Sequence, residues 1–144
     1  MNKEILKIKT DGNVPSYATK HSAGIDLYCK SDKDIIIKPK ETIKIHTDIY
    51  VEIPEGYFGA VYPRSSTGVK KQLMLANTVG IIDSDYRGEI MIFFYNYGDK
   101  EQIVRDGDRL AQLVIQPYAR CEIIKVNKLA DSERGEGGFG STGE

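Results

Sequence analysis

Short apolar and β-branched runs recur along the chain, punctuated by Gly, Pro and Asp, and none is long. They predict strands over residues 6–9, 24–29, 35–38, 42–53, 57–62, 72–75, 79–82, 89–95, 102–104, 109–116 and 121–126. From Thr42 to Asp48 the alternation is strict. Ile43, Ile45 and Thr47 share one face, and Lys44, His46 and Asp48 the other. His46 is therefore expected on a solvated face, outside any chemistry. No long segment repeats its apolar residues every 3.6 positions. One short helix is expected over 65–72, with hydroxyl residues as N-cap and Lys70 and Lys71 at its negative end. The fold class is all-β: a sandwich or jelly-roll-like barrel with at most one helical turn.

The pattern changes at Ala130. The stretch ADSERGEGGFGSTGE is rich in glycine and carries one aromatic, Phe139. It cannot bury enough apolar surface to offset its ordering entropy, so alone it should be disordered. The expected division is a β-barrel core over 1–129 and a flexible arm over 130–144. Arg134 and Phe139, set among glycines, suit a segment that closes over a ligand, with backbone near an anion and a ring on a base.

At 144 residues the chain is most simply one domain with a real core. A net charge of −1 provides no whole-molecule field toward nucleic acid or a membrane. No run approaches the ~18 apolar residues of a membrane span. Cys29 and Cys121 stand apart with no C-x-x-C spacing, reading as small apolar core residues, and a reducing cytoplasm is expected. With two histidines and two scattered cysteines, a zinc cluster is not expected.

Chemistry concentrates in a few stretches. There is no G-x-S-x-G elbow, Cys-His pairing, Walker loop or dinucleotide fingerprint, so any hydrolysis should use activated water. AGIDLY puts one carboxylate, Asp26, into an apolar strand. YPRSSTG offers Arg64, hydroxyls and amides at a helix start, an arrangement suited to phosphate. GIIDSDYRGE sets Asp83, Asp85 and Tyr86 against an apolar run, more decoration than a hairpin turn needs. GDRLAQLVI holds Gln112 inside an apolar strand, where its amide needs a partner. Singly, each has a plainer use. Asp26 and Gln112 could be internal hydrogen-bonding residues, Arg64 half of a surface ion pair, and Asp85 a turn-former.

Together these stretches resemble one family, the trimeric dUTP diphosphatases (dUTPases). Its five motifs occur in order as AGIDLY, PRSSTG, NTVGIIDSDYRGE, RLAQLVI and RGEGGFGSTG, from residue 23 to 143. The resemblance implies a homotrimer of jelly-roll-like subunits with active sites shared between chains. The implied reaction is dUTP plus water to dUMP and pyrophosphate, with Mg2+ held by the triphosphate. It would keep uracil out of DNA and supply dUMP for thymidylate synthesis.

By resemblance Asp83 is the general base, and Tyr86 packs its ring beneath the deoxyribose. Asn77 and the main chain from Gly80 through Ile81 and Ile82 to Asp83 meet uracil. Met91 matches a pocket-lining position that could equally be plain core. Arg64, the amides of Ser65 and Ser66, Gln112 and Arg134 match triphosphate contacts. Phe139 would stack on uracil beside Gly140, with Ser141 and Thr142 near the terminal phosphate. Asp26 is the candidate for indirect, water-mediated contact with Mg2+. Asp85 and Arg109 are expected to be structural, in inter-subunit pairs. One departure is Ser66, where many relatives have glycine.

Two rival readings come from other classes. A dCTP deaminase shares the fold but is generally longer and lacks the RGEGGFG arm. A regulatory module acting through a protein partner would want an insertion between motifs, and none is evident.

Overall fold

Each strand ends where the backbone must turn, and most turns sit on residues the sequence marks for them. A computed structural model describes residues 4–140 and holds eleven strands and one helix. The strands are β1 (Lys7–Lys9), β2 (Ile25–Tyr28), β3 (Ile35–Ile37), β4 (Thr42–Ile45), β5 (Tyr50–Glu52) and β6 (Tyr57–Pro63). After helix α1 (Ser65–Val69) come β7 (Leu73–Leu75), β8 (Gly80–Ile82), β9 (Ile92–Asn96), β10 (Gln102–Val104) and β11 (Arg109–Pro117). All pairings are antiparallel. The largest sheet runs β2-β11-β6-β8; β4-β9-β7 forms a second, and β1-β5 and β10-β3 are two-stranded ribbons. This is the expected jelly-roll-like all-β architecture.

The inward residues of each strand supply the core. Leu27, Ile37, Ile45, Leu73, Leu75, Ile92, Phe94, Val104 and Leu113 are almost completely buried in one cluster. Period-2 patterning put them there, because one face of each strand meets the opposite sheet. Asn96 is buried among them and fully paired. Its Nδ2 donates to Ile37 O at 2.9 Å and Lys100 O at 2.8 Å, and its Oδ1 accepts from Gly98 N at 3.0 Å.

Three expected elements differ. The strand over 42–53 is broken between β4 and β5 by Asp48, whose φ of 57° is left-handed. The break is held by a carboxylate from far along the chain. Glu89 Oε1 accepts from both Thr47 N (3.0 Å) and Asp48 N (2.9 Å). The helix stops at Val69, and its N-cap is Arg64 with no side-chain cap bond. Thr67 turns its hydroxyl instead to Leu110 O, tying the helix to β11. Over 121–126 there is no strand. Ile123 is 95% exposed, and the segment pairs with no strand among the described residues. High β-propensity forms a strand only where an edge is available to pair with.

Asn96→Ala should leave Ile37 O, Lys100 O and Gly98 N without this partner. We expect a loss of at least ~1–3 kcal/mol, the cost of buried unpaired polar groups, read from the urea unfolding midpoint.

Candidate active site

β11 is the spine of the first half of the site. Gln112 lies opposite Asp26 of β2 on one side and Tyr62 of β6 on the other. The Asp26 carboxylate is nearly buried, its side chain 10% exposed, and faces two guanidinium groups. Arg64 Nε is 3.2 Å from Oδ1 and Arg109 Nη1 is 3.5 Å from Oδ2. A buried carboxylate without such partners would be costly. Gln112 Nε2 donates to Pro63 O at 3.4 Å, a long bond. A Cβ on Gly24 would come within 2.5 Å of Gln112 Oε1, so glycine makes room for the amide. Ser65 and Ser66 are exposed at the start of α1, and Arg64 is about two-thirds covered. The group can hold an anion, since each arginine has donors left over after meeting Asp26.

Arg109, expected to be structural, pairs with Asp26 of its own chain. Its motif position alone did not suggest this contact. The signal was available in the register, because Arg109 opens the strand that sets Gln112 against Asp26 and a shift in pairing follows it.

The second half is built on β8, an edge strand against β6 with Gly80 opposite Val61 and Ile82 opposite Gly59. Past Ile82 the chain turns through Asp83, Ser84 and Asp85, with Tyr86 N donating to Asp83 O at 3.1 Å. Asp83, Asp85 and Ile81 are exposed, and they line a cleft of about 880 Å3 with Phe58, Tyr118 and Arg87. Phe58 and Tyr118 meet edge-on, centroids 6.2 Å apart. Tyr86 donates its phenol hydrogen to Glu89 O at 2.9 Å. Asn77 is exposed, and a Cβ on Gly80 would lie 3.6 Å from its Nδ2. Met91 is 37% exposed, so it is not plain core.

The two halves do not meet within the chain. The register sets Gly80 against Val61 and runs toward Phe58, whereas Arg64 follows the other end of β6. At ~3.3 Å per residue, Asp83 and Arg64 are separated by roughly 20 Å along that strand. The third part, residues 130–140, is exposed except at Gly137 and makes mostly local bonds. Arg134 Nε donates to Gly137 O at 2.8 Å, and Phe139 is fully exposed beside Gly140 with its φ of 88°. Ser141 and Thr142 lie outside the described residues.

Glu89 escaped the sequence reading altogether. Its side chain is 16% exposed, with Oε2 2.8 Å from His46 Nδ1. His46 is exposed, as its face predicts, yet it is engaged. Burial pushes the Glu89 pKa up, but hydrogen bonds from His46 and from the amides of Asp48 and Thr47 outweigh it and hold the group below its ordinary 4.5. Of the two cysteines expected in the core only Cys29 is buried, its thiol pushed up to about 11, first by burial and then by Asp106 and Asp108, while Cys121 is exposed on a segment outside the strands. Among the described residues no group of three or more His, Cys, Asp or Glu could hold a metal ion, and no helix is long and apolar enough to cross a membrane.

A family model for dUTPase matches residues 10–143. The chain is 49% identical to the deoxyuridine 5'-triphosphate nucleotidohydrolase of Aquifex aeolicus, with 99% of each chain covered. To that of Nautilia profundicola it is 44% identical over the full length of both. Among solved structures it resembles the dUTPase of Staphylococcus bacteriophage 80alpha with dUpNHpp, at a TM-score of 0.90 and 29% identity. That match covers 99% of this chain and 100% of the other.

Because the folded Glu89 carboxyl is depressed, its contribution to stability is present above its unfolded value and is lost as pH falls through the folded one. Glu89→Gln should therefore flatten the acid side of the stability profile below about pH 4.5. Urea midpoints of both proteins between pH 7 and pH 3 check this. Iodoacetamide at pH 8 should label exposed Cys121 and spare Cys29 until the protein is denatured.

Proposed function

The chain belongs to the dUTPase family, and from that membership and the two half-sites at the ends of β6 we propose that it hydrolyses dUTP to dUMP and pyrophosphate. The observation that carries the mechanism is Asp83, an exposed carboxylate just past β8, opening into the cleft beside Ile81. Asp83 takes a proton from water as the water oxygen attacks the α-phosphorus. The bond from that phosphorus to the bridging oxygen breaks on the far side, and pyrophosphate leaves. Main-chain groups of residues 80–83 and the Asn77 amide pair with the uracil edge, while Met91 lines the pocket. Tyr86 lies under the sugar and leaves no room for a 2′-hydroxyl. A site built to hydrogen-bond one base edge can reject a mismatched one by ~10^4 to 10^5. The product dUMP would feed thymidylate synthesis, and removing dUTP would keep uracil out of DNA.

The triphosphate is read as lying across Arg64, the amides of Ser65 and Ser66, and Gln112. The arm over 130–144 brings Arg134 to the phosphates and Phe139 and Gly140 to the base. Mg2+ fits as a partner of the triphosphate, because the described residues offer it no cage of their own. When bound it neutralises phosphate charge. Asp26 would reach it only through water, its own oxygens being turned to Arg64 and Arg109.

The separation along β6 supports a homotrimer in which one copy contributes Asp83 and Tyr86, and another contributes Arg64 and Gln112. The segment carrying Ile123, Ile124 and Val126 supports it too, since these apolar side chains are exposed and pair with no strand among the described residues. We read the protein as acting in the cytoplasm, with neither nucleic acid nor membrane as partner.

Incubation with each ribo- and deoxyribonucleoside triphosphate and Mg2+ should release pyrophosphate from dUTP alone. Asp83→Asn should keep dUTP binding and lose ~10^2 to 10^4 in turnover, the usual worth of a general base. Near-normal turnover would remove Asp83 from this role. Refolding Asp83→Asn together with Arg64→Ala should recover roughly a quarter of the activity if different copies supply the two residues independently. No recovery would assign both to one copy.

A further inference from the structure

Glu89 is bonded at both its side chain and its main chain, and Tyr86 is at one end of that arrangement. Its carboxylate accepts from Thr47 N, Asp48 N and the His46 ring at 3.0, 2.9 and 2.8 Å. Those amides belong to the left-handed corner between β4 and β5, and their acceptor is this carboxylate. The Glu89 backbone forms a bridge with Tyr50, and its carbonyl accepts from the Tyr86 phenol at 2.9 Å. The next residue continues the attachment. Ile90 N donates to Ile49 O at 2.8 Å, and Ile90 O accepts from the Thr47 hydroxyl at 2.5 Å. Gly88 leaves the phenol its space, since a Cβ there would stand 2.4 Å from the Tyr86 oxygen.

In the hairpin from Asp83 to Glu89, Asp83, Asp85, Tyr86 and Arg87 are exposed. Its C-terminal end is located against the corner at Thr47 and Asp48 by the Glu89 carboxylate, beside the main-chain bonds of Glu89 and Ile90. A carboxylate accepting from consecutive main-chain amides is a directional, charge-assisted contact. It transmits the position of a buried corner to an exposed ring.

We propose that Glu89 is a positioning residue for Tyr86, and that by holding the ring in place it sets the discrimination between deoxyribo- and ribonucleotide. The inference rests on the reading of Tyr86 as the platform under the sugar. Glu89 touches no substrate in this account. A ring free to tilt would admit a 2′-hydroxyl while leaving Asp83 able to activate water, so selectivity changes more than turnover.

The test measures kcat/KM for dUTP and for UTP on the full chain. Glu89→Ala removes the carboxylate's three hydrogen bonds and keeps the carbonyl that accepts from Tyr86, and it should lower the dUTP-to-UTP ratio by about tenfold, with KM for dUTP rising more than kcat falls. Glu89→Asp, which keeps the charge but shortens the reach, should lower the ratio in the same direction and serves if the alanine variant does not fold. A proportional loss on both nucleotides, or an unchanged ratio in the folded variants, overturns the inference. Gly88→Ala separates it from the underlying reading, because the added methyl must displace the Tyr86 ring directly. If Gly88→Ala leaves the ratio unchanged, Tyr86 is not the sugar platform. If it lowers the ratio and the Glu89 variants do not, Tyr86 keeps its role and Glu89 loses the one assigned to it.

Discussion

The contact on which the basic end of the molecule depends is Asp26 with Arg64 and Arg109. A carboxylate this well covered is tolerable only with charged partners, and removing them would leave an uncompensated buried charge. The three residues come from β2, from the loop between β6 and α1, and from the start of β11, so one cluster draws together three separate parts of the chain. The arginines gain from the arrangement as well. Each is held from one side, and a planar guanidinium held that way keeps its remaining donors aimed and pre-organised for an anion.

The antiparallel register of β6 imposes the second constraint. One strand carries the basic cluster beyond its C-terminal end and, through β8, the acidic turn beside its N-terminal end. A strand is rigid at this length, so no side-chain motion brings the two together. Opposed charges kept this far apart do not neutralise each other. The exposed Ile123, Ile124 and Leu129 fit the same picture, being apolar groups with no place in their own core.

The acidic turn has its own support, built from the opposite sheet. Glu89 joins the hairpin to the corner where β4 gives way to β5, and Asp48 makes that corner possible by adopting a left-handed backbone. Asp48 is itself secured, its carboxylate accepting from the Thr10 hydroxyl and Asp11 N at 2.9 Å each. A flexible-looking loop is thus tied through a chain of polar contacts to the N-terminal ribbon.

Sequence alone determined the all-β class and most strand positions, because alternation of apolar residues such as Ile43, Ile45 and Thr47 follows directly from the two-residue strand repeat. It also pointed to the family, since Asp26, Arg64, Asp83 and Gln112 are polar groups in apolar or glycine-bounded settings and the order of their motifs matches it. Only the tertiary structure decided what those groups touch. Arg109 found Asp26 through strand pairing, and Glu89 found Thr47 and Asp48 from more than forty residues away. The 121–126 segment has the composition of a strand and lacked a neighbour. Local patterns record what each residue prefers. Partners across a sheet are chosen by register and available edges, and those exist only once the chain has folded.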